Sequence, residues 1–180
     1  MVASKPDLAG LIRTIPDFPK PGVQFRDITT LLKDREGFHH LIEALVAAQS
    51  GRGIDKIAAI ESRGFIVGAA LAYRLHAGFV PIRKQGKLPA ENFGEDYALE
   101  YGRDRLEMHR DAIDRGERIL LVDDLVATGG TARAACRLIE TAGGTLVGCA
   151  FVVDLPDLGG RRSLEALGIP VQVLCEFSGH

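Results

Sequence analysis

The chain has 180 residues, about the length of one globular domain. Hydrophobic residues make up 46% and charged residues 26%, proportions that exclude a disordered tail, a coiled coil and a collagen-like rod. With 22 basic and 24 acidic side chains the net charge is −2, so we expect no nucleic-acid partner.

Hydropathy patterns predict alternating strands and helices along most of the chain. Residues 15–26 hold three prolines and one glycine, which is typical of an ordered loop. An apolar period of about 3.6 residues predicts the first helix around residues 38–46. The further predicted elements are, in order, strand 54–60, helix 65–75, strand 78–82, strand 118–124, helix 131–142, strand 146–153, a short helix near 162–167 and strand 171–177.

This order of elements predicts the fold class. Strands that alternate with helices favour an α/β fold, an open, doubly wound, mostly parallel sheet of about five strands flanked by helices. We expect a single domain over residues 1–180, with a small hood built from about residues 12–30 and 154–180.

A long polar segment, residues 83–100, separates two of the predicted strands. Its sequence, RKQGKLPAENFGEDYALE, contains two glycines and a proline but no helical period. Such long connections are uncommon inside a compact domain and are often functional, so we predict a lid loop over an active site.

Cysteine use and hydropathy indicate the compartment. Cys136, Cys149 and Cys175 are widely spaced in apolar stretches, a pattern typical of buried free thiols in a reducing cytoplasm. The first ten residues lack the apolar core of a signal peptide, and no apolar run approaches the roughly 20 residues of a membrane span. We therefore expect a cytoplasmic protein without a membrane partner.

The strongest functional signal is the sequence LLVDDLVATGGT at residues 120–131. A buried strand brings Asp123 and Asp124 to its carboxyl end, where ligands bind in open α/β sheets. The Thr-Gly-Gly-Thr loop that follows opens a helix, whose unpaired N–H groups and partial positive charge favour a phosphate. Because carboxylates accept hydrogen bonds from neighbouring hydroxyls, the spacing predicts a ribose 5-phosphate site. The alternative is a plain strand-to-helix turn.

This stretch resembles the 5-phosphoribosyl-1-pyrophosphate (PRPP) motif of type I phosphoribosyltransferases. Four further segments look like those of adenine phosphoribosyltransferases, namely FPKPGVQFRDI at 18–28, ESRGF at 61–65, RKQGKLP at 83–89 and LEYG at 99–102. The resemblance runs from about residue 12 to residue 174. It implies a purine salvage enzyme in which N9 of adenine attacks C1′ of PRPP, giving AMP and pyrophosphate. It also implies a homodimer and Mg²⁺ bound mainly through PRPP, pyrophosphate and water, with no protein metal ligands.

The resemblance further implies a role for each candidate site residue. The 5-phosphate would be held by the loop residues Ala127, Thr128, Gly129, Gly130 and Thr131, and the ribose hydroxyls by Asp123 and Asp124. Pyrophosphate would be bound by the cationic side chains of Arg63, Arg83, Lys84 and Lys87. Adenine would lie between Phe25 and Leu155 and be read by backbone groups near Gln24 and Arg26. Glu100 would be the catalytic carboxylate, handling the proton at N7 of adenine as the lid closes.

Several of these residues also have a purely structural interpretation. The basic run at residues 83–87 could be a solvated face, Glu100 could pair with a lid lysine, and Phe25 could be a core aromatic. A type I transferase for xanthine, hypoxanthine or a pyrimidine would share the PRPP loop. A PRPP-sensing regulator would share the fold, but such proteins usually carry an added DNA-binding module, for which this chain has no spare residues.

Overall fold

Five apolar runs of the sequence form the parallel centre of a seven-stranded sheet. The computed structural model describes residues 7–98 and 103–179. Its elements in chain order are β1 (Arg13–Pro16), β2 (Gln24–Asp27), α1 (Thr29–Lys33), α2 (Arg35–Gln49), β3 (Lys56–Ile60), α3 (Arg63–Leu75), β4 (Gly78–Lys84), β5 (Asn92–Ala98), β6 (Arg103–His109), β7 (Arg118–Val126), α4 (Gly130–Thr141), β8 (Thr145–Asp154), a 3₁₀ turn (Pro156–Leu158), α5 (Gly160–Glu165) and β9 (Val171–Glu176).

The strand order of the main sheet is β5-β6-β4-β3-β7-β8-β9. In this order the five strands β4, β3, β7, β8 and β9 are parallel to their neighbours, whereas β6 pairs antiparallel with both β4 and β5. α4 covers one face of the sheet, and α2 and α3 cover the other. The predicted doubly wound, mostly parallel α/β fold is therefore confirmed.

The expectation of about five strands accounts only for the parallel part of the sheet. The remaining two strands, β5 and β6, form an antiparallel hairpin at the edge, and β5 lies within residues 83–100, the segment expected to be a loop. The sequence of β5, NFGEDYA, lacks a regular apolar alternation, so its pattern gives no strand signal. Its conformation depends on pairing with β6 along its whole length, an interaction that local sequence does not reveal. Similarly, residues 15–26, expected to form a loop, include part of β1 and most of β2.

The core consists of two apolar layers, one on each face of the sheet. Helix α4 presents Leu138 and Ile139 to the first layer, as its spacing predicts, and both are at most 1% exposed. Helix α2 presents Leu41 and Leu45 to the second layer, and both are fully buried. These helices fix the carboxyl ends of the parallel strands, where the predicted site lies.

The β1–β2 ribbon and the C-terminal segment meet beside those strand ends. Arg26 donates from Nη2 to the carbonyl oxygen of Ser178 at 2.9 Å, and its guanidinium lies 4.7 Å from the ring centre of Phe177. Within the β1–β2 ribbon, Arg13 pairs with Asp27 at 2.5 Å, and hydrogen bonds from Arg13 and then Thr29 lower the pKa of Asp27 to about 2. The ribbon is thus tied to the C-terminal segment. No helix among the described residues combines the length and hydropathy that crossing a bilayer requires.

Candidate active site

The loop between β7 and α4 forms a pocket of about 160 Å³ lined by residues 123 and 125–132. Gly129 precedes the helix with a φ of +81°, a conformation that favours glycine. A Cβ at Gly129 would lie 2.8 Å from Ser163 Oγ and 3.0 Å from the carbonyl oxygen of Gly160. Gly160 in turn donates its N–H to the carbonyl of Ala127 at 2.9 Å. The close contact with α5 therefore holds the loop in one shape, with the first N–H groups of α4 at the pocket.

The acid pair lies beside this pocket and is joined to an arginine. Asp124 is 4% exposed and its Oδ2 lies 2.6 Å from Arg63 Nε, while Asp123 Oδ1 accepts the backbone N–H of Asp124 at 2.8 Å. Burial raises the pKa of Asp123, and repulsion from the Asp124 carboxylate raises it further. Burial also raises the pKa of Asp124, although the charge of Arg63 opposes this. The two carboxylates are thus short of hydrogen-bond donors, which is a suitable environment for hydroxyl groups.

A turn at residues 61–64 connects β3 to α3 and packs directly against the acid pair. A Cβ on Gly64 would lie 2.8 Å from Asp123 Oδ1, so only glycine allows this approach. The peptide bond between Glu61 and Ser62 is cis. Arg63 begins α3 and extends back to Asp124 across the same turn.

Two of the predicted pyrophosphate-binding cations are gathered on Glu61. Its Oε2 accepts from Arg83 Nε at 3.2 Å and from the backbone N–H of Lys84 at 3.1 Å, while its Oε1 is paired with Lys87 Nζ. Partial burial would raise the pKa of Glu61, but the hydrogen bonds from Lys87, Lys84 and Arg83 outweigh it and lower the pKa. The carboxylate is therefore ionised at neutral pH.

The side chain of Lys84 lies apart from the other three cations. Its Nζ contacts Asp104 and lies 2.5 Å from the hydroxyl of Tyr97, which also lies 3.0 Å from Asp104 Oδ2. Burial would lower the pKa of Lys84, but the hydrogen bonds to Asp104 and Tyr97 raise it. The structure thus brings Arg63, Arg83 and Lys87 to the strand ends and places the Lys84 ammonium on the β5–β6 hairpin.

The predicted base-binding residues lie on the ribbon and at the end of β8. The Arg63 guanidinium is 5.1 Å from the ring centre of Phe25, so the same arginine contacts the acid pair and this aromatic ring. Gln24 and Arg26 flank Phe25 in β2. Leu155 is 7% exposed and donates its N–H to the carbonyl of Val126, at the start of the loop between β7 and α4, at 3.1 Å.

The β5–β6 hairpin contacts the same loop from the other side. Ala98, the last residue of β5, has its carbonyl oxygen 3.4 Å from the position of a Cβ on Gly130. Glu95 pairs with Arg137 of α4 at 2.5 Å. The hairpin is therefore attached to the helix that opens the pocket. Glu100 lies outside the described residues, so its role stays a prediction.

No three His, Cys, Asp or Glu side chains are grouped to hold a metal ion in ranges 7–98 and 103–179. Asp123 lines the pocket, and the carboxylate of Asp124 follows it in the chain. Mg²⁺ binds through one or two carboxylates together with substrate phosphates and water, and this donor set fits such an ion.

Comparisons with known proteins agree with this architecture. Residues 29–166 match the family model for the phosphoribosyl transferase domain. An adenine phosphoribosyltransferase of Methylobacillus flagellatus is 60% identical over 171 residues, which cover 95% of this chain and 97% of that protein. The chain belongs to the adenine phosphoribosyltransferase family.

Solved structures of adenine phosphoribosyltransferases match the fold closely. The enzyme from Rhodothermus marinus superposes with a TM-score of 0.90 at 52% identity, covering 94% of this chain and 96% of that one. The enzyme from Saccharomyces cerevisiae, in complex with adenine and an imino-altritol 1,6-bisphosphate, has a TM-score of 0.87 at 40% identity, covering 93% and 96%. The family membership and the type I phosphoribosyltransferase fold that the sequence predicts are thereby confirmed.

Sequence reasoning missed three residues that shape this adenine phosphoribosyltransferase site. Glu61 enters the prediction only as part of the segment ESRGF at 61–65, and neither Asp104 nor Ser163 is among the predicted site residues. The parallel register of Ile60 with Ile82 could have identified Glu61, since it puts the residue after β3 beside Arg83. Asp104 and Ser163 approach the site only through tertiary packing, for which the sequence gives no signal.

Proposed function

We propose that the protein transfers the 5-phosphoribosyl group of PRPP to N9 of adenine, giving AMP and pyrophosphate. The observation that carries this proposal is the position of Arg63, which contacts both the acid pair beside the phosphate loop and the aromatic ring of Phe25. A sugar held by the acid pair would then have its C1′ close to a base on Phe25. The yeast relative, whose complex contains adenine together with a bisphosphate, supports this pairing of ligands.

The 5-phosphate is assigned to the loop at residues 127–131. Its glycines let the backbone N–H groups of the first turn of α4 approach an anion, and Thr128 and Thr131 add hydroxyl donors. The ribose hydroxyls are assigned to Asp123 and Asp124. Hydrogen bonds from these hydroxyls would relieve the desolvation that raises the pKa of both carboxylates.

Pyrophosphate is assigned to Arg63, Arg83 and Lys87, which lie at the ends of neighbouring strands. As the bond from C1′ to pyrophosphate lengthens, negative charge builds on the leaving group and fixed cations stabilise it. Lys84 belongs to this set only if its ammonium leaves Asp104, so we expect it to contribute less than Lys87. Mg²⁺, where bound through PRPP and water, would neutralise part of the same charge.

Adenine is assigned to the space between Phe25 and Leu155, with backbone groups near Gln24 and Arg26 reading its amino edge. A 6-oxo purine reverses the donor and acceptor pattern at that edge, which would leave buried polar groups unpaired. This selectivity distinguishes the proposed substrate from hypoxanthine and guanine.

Glu100 is assigned the proton at N7 of adenine during attack by N9. The attachment of β5 to α4, through Glu95 and Arg137, supports a lid that covers the phosphate loop. Such a lid would exclude water from a sugar with oxocarbenium character, which water would otherwise hydrolyse.

We also propose that the chain forms a homodimer in the cytoplasm. Ile66, Tyr73 and Phe79 are large apolar side chains that are 48%, 85% and 38% exposed on α3 and the adjoining β4. Ile66 and Tyr73 are seven residues apart and so share one face of α3, and exposed apolar side chains that share a face are typical of a protein–protein contact. Light scattering that gives the mass of one chain would contradict the dimer.

The direct test is release of pyrophosphate from PRPP with adenine, guanine, hypoxanthine or orotate as the acceptor. The proposal predicts fastest turnover with adenine, slow turnover in Glu100→Ala and weakened PRPP binding in Asp124→Ala. Faster turnover with another base would refute the substrate assignment. PRPP binding without any pyrophosphate release would instead favour a regulator.

A further inference from the structure

Glu61 closes a small ring of contacts at the start of the lid segment. Its two carboxylate oxygens contact Arg83, Lys87 and the backbone N–H of Lys84. Arg83 Nη1 also donates to the carbonyl oxygen of Lys87 at 3.1 Å. One carboxylate thus connects both ends of the run from residue 83 to residue 87.

The carboxylate itself is held by the backbone of the sheet. Glu61 donates its own N–H to the carbonyl of Ile82 at 2.9 Å, and its Oε2 accepts the N–H of Lys84 at 3.1 Å. The side chain is only 10% exposed. Since these partners belong to β4, Glu61 cannot turn toward solvent without breaking a backbone hydrogen bond.

Within the contacts of residues 7–98 and 103–179, both cations keep donors for a second anion while they contact Glu61. A guanidinium has five N–H groups, of which Arg83 uses one for Glu61 and one for Lys87. An ammonium has three, of which Lys87 uses one for Glu61. The carboxylate also reduces the repulsion between the two cations, which would otherwise drive them apart.

We propose that Glu61 is the positioning residue of the pyrophosphate subsite, holding Arg83 and Lys87 in the orientation in which they meet the diphosphate of PRPP. The inference rests on the proposed function, because it takes these two cations as pyrophosphate ligands. Holding two long side chains in place before binding removes an ordering cost that would otherwise weaken affinity by roughly tenfold. A carboxylate that merely competed with pyrophosphate would have the opposite effect, because its removal would strengthen binding.

The test is Glu61→Gln in the full chain, compared with Glu43→Gln. Glu43 pairs with Arg74 between α2 and α3 at 2.7 Å, so the control removes a carboxylate from an arginine pair outside the site. KM for PRPP, kcat, and the Kd for AMP are measured for both variants. Because AMP lacks a diphosphate, its Kd reports on the phosphate, ribose and base sites without the pyrophosphate subsite.

The proposal predicts that Glu61→Gln raises KM for PRPP roughly tenfold with unchanged AMP affinity, and that Glu43→Gln changes neither. An unchanged or lowered KM, or an equal loss of AMP affinity, would overturn the positioning role. The variants Arg83→Met and Lys87→Met separate this failure from that of the proposed function. If both raise KM while Glu61→Gln does not, the subsite stands and the inference is wrong. If neither raises KM, the pyrophosphate assignment is wrong, and the inference is overturned with it.

Discussion

Gly129→Ala tests whether the shape of the loop at residues 127–131, the proposed phosphate site, determines nucleotide binding. The substitution has two separable costs. An alanine at a φ of +81° is strained by about 1–2 kcal/mol. Its Cβ would also lie 2.8 Å from Ser163 Oγ and 3.0 Å from the Gly160 carbonyl, closer than ordinary contacts.

The contact with Gly160 is the more costly, because its oxygen belongs to the backbone at the start of α5. Ser163 has little freedom either, since its Oγ donates to the Gly160 carbonyl at 2.7 Å and accepts from Arg133 at 2.8 Å. Relief therefore requires the loop or α5 to shift by a few tenths of an ångström. Overpacking of this kind costs about 1–3 kcal/mol, so we expect a total loss of about 2–5 kcal/mol in the free energy of unfolding.

Gly168→Ala is the matched control. Gly168 has a φ of +77° with nothing within 4 Å of a Cβ, so its substitution carries the backbone strain without the clash. Urea unfolding should show a loss of about 1–2 kcal/mol for Gly168→Ala and a larger loss for Gly129→Ala.

Calorimetric titration with AMP then measures the functional consequence. A displaced loop weakens at least one hydrogen bond to a charged phosphate, worth about 1.5–3 kcal/mol, so Kd should rise about tenfold or more. Gly168→Ala should leave Kd unchanged. Equal stability loss in the two variants together with unchanged AMP affinity for Gly129→Ala would refute the reasoning.

Three further predictions concern the acid pair, the base site and the ribbon. Asp123→Asn should raise the free energy of unfolding at neutral pH, because burial and Asp124 raise the pKa of Asp123 and so disfavour its ionised form. The same substitution should weaken PRPP binding. A Tm lower than that of the unsubstituted protein would contradict the stability prediction. Phe25→Ala should raise KM for adenine about tenfold, as loss of base stacking does, with little change in KM for PRPP; equal changes in both would contradict the base assignment. The pKa of Asp27 is lowered from 3.8 to about 2, so its contribution to stability is full above about pH 4 and is lost as pH falls toward 2. Urea unfolding at stepped pH should therefore show a flatter acid limb for Asp27→Asn, and an unchanged limb would contradict the assignment to its pair with Arg13.

Much of the fold follows from residues whose local pattern and tertiary environment agree. The apolar run at 118–124 predicts β7 because it is buried on both faces, as a central parallel strand must be. Leu138 and Ile139 predict the inward face of α4 because helical spacing and burial coincide there. The loop at residues 127–131 is predictable for the same reason, because the positive φ that requires glycine at position 129 is a local property of the chain.

The remainder depends on contacts between distant segments. The predicted strand 78–82 is shorter than β4, which continues to Lys84. Because side chains alternate along a strand, the two extra residues point Arg83 and Lys84 to opposite faces, which separates cations that appear adjacent in sequence. The local sequence does not predict β5, because pairing with β6 determines its conformation. The importance of Glu61 emerges only from the parallel register that brings the end of β3 to β4.

A crystal structure of the protein with AMP is the most direct test of the central claim. The account predicts phosphate oxygens within hydrogen-bond distance of the backbone N–H groups at residues 129–131, with the ribose hydroxyls on Asp123 and Asp124. Clear density for AMP at another position, with its phosphate away from the start of α4, would contradict it.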